Sequence, residues 1–125
     1  MSKWENNGTH EKMIIWKSLE ELRIIMNKIL PCVSQTEFKT RSQIINAHDS
    51  MASNFVEGYY SGYKKEYLRF ISYSRRSGAE LFERVRRIYK LDYIGDNIFK
   101  EFEERCIKTN YLFDRLKFSL QNKKT

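Results

Sequence analysis

Two histidines, two cysteines and a run of arginines are the residues of this 125-residue chain whose types could do chemistry. A carboxylate-bridged metal pair in a helix bundle needs a glutamate three residues before each histidine, so that both side chains share one helix face. Asn7 stands three before His10 and Ile45 three before His48, so that ligand set is missing. His48 lies among apolar residues at helical spacing and reads as a hydrogen-bonded core histidine. Cys32 and Cys106 fit no C-x-x-C or zinc spacing, and neither has a neighbouring base that would make it a nucleophile. Cys106 falls on an apolar stripe and reads as a small buried hydrophobe. Gly58 and Gly62 enclose Tyr59, Tyr60 and Ser61, but no strand precedes them and the Walker pattern is absent, so no phosphate-cradling loop is expected. Tyr59, Tyr60, Tyr63, Tyr67 and Tyr73 gather around this turn and read as aromatic packing at a bundle end or an oligomer seam. No catalytic residue, metal ligand or cofactor site is expected.

The elements that must position these residues follow from punctuation and periodicity. One proline and five glycines favour a few long helices over many short strands. With 41% hydrophobic and 31% charged residues, the chain is too apolar to be disordered. The spacing predicts a first helix over residues 9–30, with Thr9 as N-cap, Ile15, Leu19, Leu22, Met26 and Ile29 as its stripe, and Pro31 as its stop. A short polar linker from Cys32 to Thr36 leads to a second helix over 37–60. Ile45, His48, Ala52, Phe55 and Tyr59 form its stripe, with Ile44 and Met51 beside it. A third helix spans 64–91 on Tyr67, Ile71, Ser74, Gly78, Leu81, Val85 and Ile88, where small Ser74 and Gly78 admit a close neighbour. A fourth spans 96–120 from a candidate N-cap at Asp96, on Phe99, Phe102, Cys106, Thr109, Phe113, Leu116 and Leu120. Short connections imply antiparallel neighbours, hence one all-α domain over 1–125, an up-down-up-down four-helix bundle. The polar start from Met1 to Gly8 resembles no signal peptide, and no apolar run reaches the ~18 residues of a membrane span. A cytoplasmic, bacterial-type protein with reduced thiols and no membrane partner is expected.

The net charge of +7 is concentrated in one element. Residues 1–63 carry seven basic and seven acidic side chains, and residues 92–125 seven and six; residues 64–91 carry nine and three, a net +6. On a helical wheel Lys65, Arg69, Arg76 and Arg87 fall opposite the apolar stripe of the third helix. Lys64, Arg75 and Arg86 recur every eleven residues along its flank. Arginine outnumbers lysine six to three there, and its planar fork suits phosphate. Two readings stand open. The face contacts a nucleic-acid backbone through its phosphates, or it is a solvated or intersubunit face in which Glu80 and Glu83 satisfy Arg76, Arg84 and Arg87. No helix-turn-helix, RNP or zinc-finger pattern is present, so any such binding would read shape and phosphate more than bases.

Along the chain stand Trp16-Lys17-Ser18 and the helix-ending Pro31, then Ser42-Gln43-Ile44-Ile45-Asn46-Ala47 and Asn54-Phe55-Val56-Glu57-Gly58. Lys64-Lys65-Glu66-Tyr67-Leu68-Arg69-Phe70-Ile71, Ser77-Gly78-Ala79-Glu80-Leu81 and the turn Leu91-Asp92-Tyr93-Ile94 follow. In this order and spacing, from Trp16 to Leu120, the chain resembles the four-helix-bundle proteins encoded in bacterial 23S ribosomal RNA intervening sequences, the S23-like proteins. The chain departs from the family pattern at Met51, where proline is frequent, at Tyr63, where a capping serine is frequent, and at Arg76, where glycine is frequent. These departures imply a straighter second helix, a third helix without its usual cap, and added charge.

The resemblance implies a ring-like homo-oligomer, with a pentamer favoured, and no established catalytic residue. Taken with the basic third helix, it leads to the expectation of a non-enzymatic RNA- or DNA-associated accessory protein that contacts phosphates through Lys64, Lys65, Arg69, Arg75, Arg76, Arg84, Arg86 and Arg87. The alternative is a protein-interaction scaffold, such as the accessory subunit of a reverse transcriptase in a diversity-generating retroelement. Asn54, Glu57, Gly58, Glu66, Tyr67 and Phe70 then read as structural or interface positions. Glu57, Glu66 and Arg69 are expected to form salt bridges that fix the second turn or a subunit contact.

Overall fold

The computed structural model describes His10 and residues 13–122. Its elements are α1 (Ile14–Ile29), α2 (Phe38–Tyr59), α3 (Lys64–Lys90) and α4 (Asp96–Asn122), with two short 3-10 turns between α1 and α2. No strand occurs among the described residues. Thr9, the expected first cap, lies outside them.

Cross-helix contacts fix the directions. Ser18 meets Thr109 while Lys28 meets Glu101, so α1 and α4 run antiparallel. Ser74 bonds the Met51 carbonyl while Ser50 meets Ser77, so α2 and α3 do too. Arg75 reaches Asp114 and Tyr89 stacks on Phe99, which does the same for α3 and α4. Trp16 on Phe55 and His48 on Leu19 complete the up-down-up-down bundle.

Every residue of the expected α3 stripe, from Tyr67 to Ile88, is buried. The α1 stripe is buried as well, joined by Ser18 and Ile25. The α2 stripe is rotated from its expected position. Ile44, Ala47, His48, Met51, Phe55 and Tyr59 are buried, whereas Ile45 is exposed. Wedged between α1 and α3, α2 buries a broad arc whose centre its apolar residues alone do not define. The linker is less polar than expected, because Val33 is 2% exposed and joins the core.

Helix ends use backbone geometry more than side-chain caps. Tyr63, at the α3 N-cap, makes no side-chain cap bond. Asp96 is the first helical residue and not a cap: the Gly95 carbonyl accepts from the Phe99 amide, and the Asp96 carboxylate accepts from the Tyr89 hydroxyl at 2.7 Å. At the end of α3 the Asp92 amide bonds the Tyr89 carbonyl and the Tyr93 amide bonds the Ile88 carbonyl, which closes a Schellman motif. Asp92 supplies its left-handed residue, at φ 65.

One buried polar contact crosses each seam. Ser18 Oγ and Thr109 Oγ1 lie 2.6 Å apart between α1 and α4, and Ser74 Oγ donates to the Met51 carbonyl at 2.9 Å between α3 and α2. The Cys106 thiol points to the Gly78 carbonyl at 3.8 Å between α4 and α3. His48 Nε2 lies 3.0 Å from the Leu19 carbonyl between α2 and α1. A carbonyl only accepts, so this nitrogen carries the proton, and His48 is the core histidine its place on the stripe implied. Burial holds His48 below its ordinary pKa, against the Leu19 hydrogen bond, which acts the other way.

Gly78 is where α3 and α4 close up. A Cβ there would overlap Asn110 Oδ1, a buried atom with no hydrogen-bond partner. Overpacking of this kind costs about 1–3 kcal/mol, more than the roughly 1 kcal/mol an added helical methyl returns over glycine. Gly78→Ala is therefore expected to lower urea stability by about 1–2 kcal/mol. In an Asn110→Ala background the same change becomes neutral or stabilising; equal losses in both backgrounds would contradict the overlap.

The unfolded chain protonates His48 near pH 6.5, whereas the folded chain resists that proton. Stability is then full above that value and falls as the pH drops below it. The wild-type urea midpoint should drop between pH 7.5 and 5.5 by more than that of His48→Gln, which keeps a donor for Leu19. Equal drops would locate the pH sensitivity elsewhere.

Candidate nucleic-acid interface

The polar face of α3 runs the length of the helix, about 40 Å. Its arginines are not equally available. Arg69 is held by Glu66 at 2.8 Å, Arg75 by Asp114 at 2.9 Å, Arg84 by Glu80 at 3.7 Å and Arg86 by Glu83 at 3.5 Å. The sequence reading assigned Glu80 and Glu83 to Arg76, Arg84 and Arg87; of these only Arg84 is so paired, and Glu83 turns to Arg86. Lys65, Arg76, Arg87 and Lys90 are exposed and have no carboxylate partner among the described residues. Lys90, absent from the expected binding set, extends the row by a turn. Lys64 is half-buried at the start of the helix. Beside Lys90, a shallow depression of about 580 Å³ is framed by Glu80, Arg84, Arg87 and Leu91.

Exposed surface pairs such as these contribute little to stability, about 0–1 kcal/mol each. Their consequence here is electrostatic. They neutralise four arginines locally and leave a broken line of uncompensated cations along the outward side of the helix.

The expected structural residues surround the seam between α2 and α3. Asn54 Nδ2 donates to the Ser50 carbonyl at 2.9 Å and to Ser50 Oγ at 3.0 Å, and Ser50 Oγ lies 2.7 Å from Ser77 Oγ. Gly58 lets α3 approach: a Cβ there would stand 2.9 Å from Phe70 Cβ and 3.1 Å from Tyr67 Cδ1. Tyr67 is buried, and that burial pushes its phenol far above the ordinary range. Glu66 and Arg69 pair within α3, but Glu57 is exposed and takes part in no ion pair among the described residues, so the expected three-residue salt-bridge set reduces to two.

Tyr73 is also placed differently from expectation. Tyr59 packs against Tyr60 and Tyr67 at the turn, whereas Tyr73 sits further along α3 with Phe70, Arg69 and Arg76. The signal was in the spacing: Arg69 and Arg76 stand four before and three after Tyr73, the separations at which helical side chains meet.

Cys106, on the apolar stripe of α4, is buried as its place in the sequence implied. Burial pushes the Cys106 thiol up to about 12, against weaker pulls from Arg75 and Asn110, so it stays protonated at neutral pH. Among the described residues no three histidine, cysteine or acidic side chains gather into a metal-holding group, and no helix is long and apolar enough to cross a membrane.

Residues 11–114 match the model of the 23S rRNA-intervening sequence protein family, more than four-fifths of the chain. The chain belongs to this family. Comparison with curated proteins and with solved structures gave no match. The match runs from before α1 into α4, and the description of the family refers to a 23S rRNA intervening sequence.

Proposed function

We propose that this member of the 23S rRNA-intervening sequence protein family is a non-enzymatic, cytoplasmic accessory protein that binds RNA through the phosphates. The observation that carries the reading is the row of uncompensated cations, Lys65, Arg76, Arg87 and Lys90, on the solvent side of α3. A polyanionic backbone is the partner such a row suits, and displaced counterions supply most of the binding free energy. The arginines held by Glu66, Asp114, Glu80 and Glu83 contribute where a phosphate displaces the carboxylate.

A second reading is favoured by a different surface. Ile107, Tyr111 and Phe118 on α4 are each more than half exposed, an apolar face that suits a protein neighbour. The neighbour is a further copy of the chain in a homo-oligomeric ring, or a nucleic-acid-handling protein such as a reverse transcriptase.

Fluorescence anisotropy with a labelled RNA across a salt series tests the first reading. Four phosphate contacts on a single strand give a slope of log K against log salt near about −3, and Arg76→Gln/Arg87→Gln should flatten it by roughly 1.4. Sedimentation of Ile107→Glu in parallel reports whether α4 mediates self-association. Absent or salt-insensitive binding to single-stranded, duplex and hairpin RNA would end the RNA reading and leave the scaffold.

A further inference from the structure

The two halves of α3 differ in what lies between their cations. In the C-terminal half the half-buried rings are engaged with other rings at the core: Tyr89 stacks on Phe99 with centroids 4.1 Å apart and planes 3° apart, and Phe82 packs on Phe99 and Phe102. No guanidinium lies over a ring of that half among the described residues. In the N-terminal half rings and guanidinium groups alternate at the surface. The Arg69 guanidinium carbon stands 5.1 Å from the Phe70 ring centre and 5.9 Å from that of Tyr73. That of Arg76 stands 5.7 Å from Tyr73.

This cluster is built and not incidental. Phe70 is seated over Gly58 of α2, where any side chain would collide with it. Tyr73 meets Phe70 edge-on, at 6.1 Å and 82°. Glu66 pins Arg69 at 2.8 Å, so that its guanidinium stays beside the rings. Phe70 and Tyr73 are only half-buried, and Arg69 and Arg76 are exposed. Lys65 lies one turn before Arg69 on the same face.

A duplex keeps the faces of its bases inside and offers this surface phosphates, 2′-hydroxyls and groove edges but no π face. An unpaired nucleotide exposes a π face, which stacks on aromatic rings and on arginine planes, while its phosphates take the adjoining cations. We infer that the N-terminal half of α3 selects unpaired nucleotides: bases stack at the Arg69–Phe70–Tyr73–Arg76 cluster, and Lys65 takes a neighbouring phosphate. This inference rests on the nucleic-acid reading above and adds strand selectivity to it. Stacking needs no base-specific hydrogen bonds, so the preference is for strand state more than for sequence.

The test compares a labelled twelve-nucleotide single-stranded RNA with a twelve-base-pair RNA duplex at equal salt, with single-stranded DNA of the same sequence to separate the two sources of unpaired bases. Wild type should prefer the single strands. Tyr73→Leu should weaken single-strand binding by about tenfold, the loss of one stacked base, and leave duplex binding within about twofold. An independent measurement needs no variant: 2-aminopurine in the single strand should be quenched when wild-type protein binds. Equal losses for both nucleic acids, or no quenching, would overturn the inference and leave phosphate binding standing. Failure of wild type to bind either nucleic acid would overturn both.

Discussion

The third helix has to serve two neighbours at once, and the rest of the structure follows from how it does so. Its buried stripe faces α2 and α4 together, and at mid-length it narrows to Ser74 and Gly78. Ser74 bonds the Met51 carbonyl, and Gly78 lets Asn110 and Cys106 come in close. A helix packed this tightly on one side keeps all its charge for the other. The concentration of nine basic residues between positions 64 and 91 is therefore displayed on one surface. The same logic governs the seam with α2, where Gly58 gives up a side chain so that Tyr67 can be buried and Phe70 seated.

Much of this could be read from the chain itself, for a physical reason. In α3 the apolar and charged residues are cleanly separated, so period alone locates the stripe, and all seven expected residues are buried. In α2 the apolar residues spread over a wider arc. The pattern then fixes that a helix forms but not its rotation: spacing points Ile45 inward, whereas the fold exposes it and buries Ala47. The choice among ion pairs was not legible either. Glu80 and Glu83 each have more than one arginine three or four residues away on the same helix, so spacing alone does not choose between them. Arg75 and Asp114, 39 residues apart, meet only because α3 and α4 do.

Local ion pairs sort the basic face by availability. Uncompensated charge persists at Lys65, Arg76, Arg87 and Lys90, spread from the first turn of the helix to its last. Arg76 supplies both a cation and a partner for Tyr73. Of the apolar residues left exposed on α4, Ile107 and Tyr111 border α3 at a shallow groove with Arg75, Ala79 and Phe82.

The central claim is that the uncompensated cations of α3 meet a nucleic-acid backbone. It is tested most directly by following the arginine Nε–Hε signals in nitrogen-edited spectra while an RNA hairpin with an open loop is added. The account predicts that Arg76 and Arg87 shift first, with Arg23 on α1 and Arg41 on α2 unmoved. Unchanged Arg76 and Arg87 signals, or equal movement of Arg23 and Arg41, would contradict it.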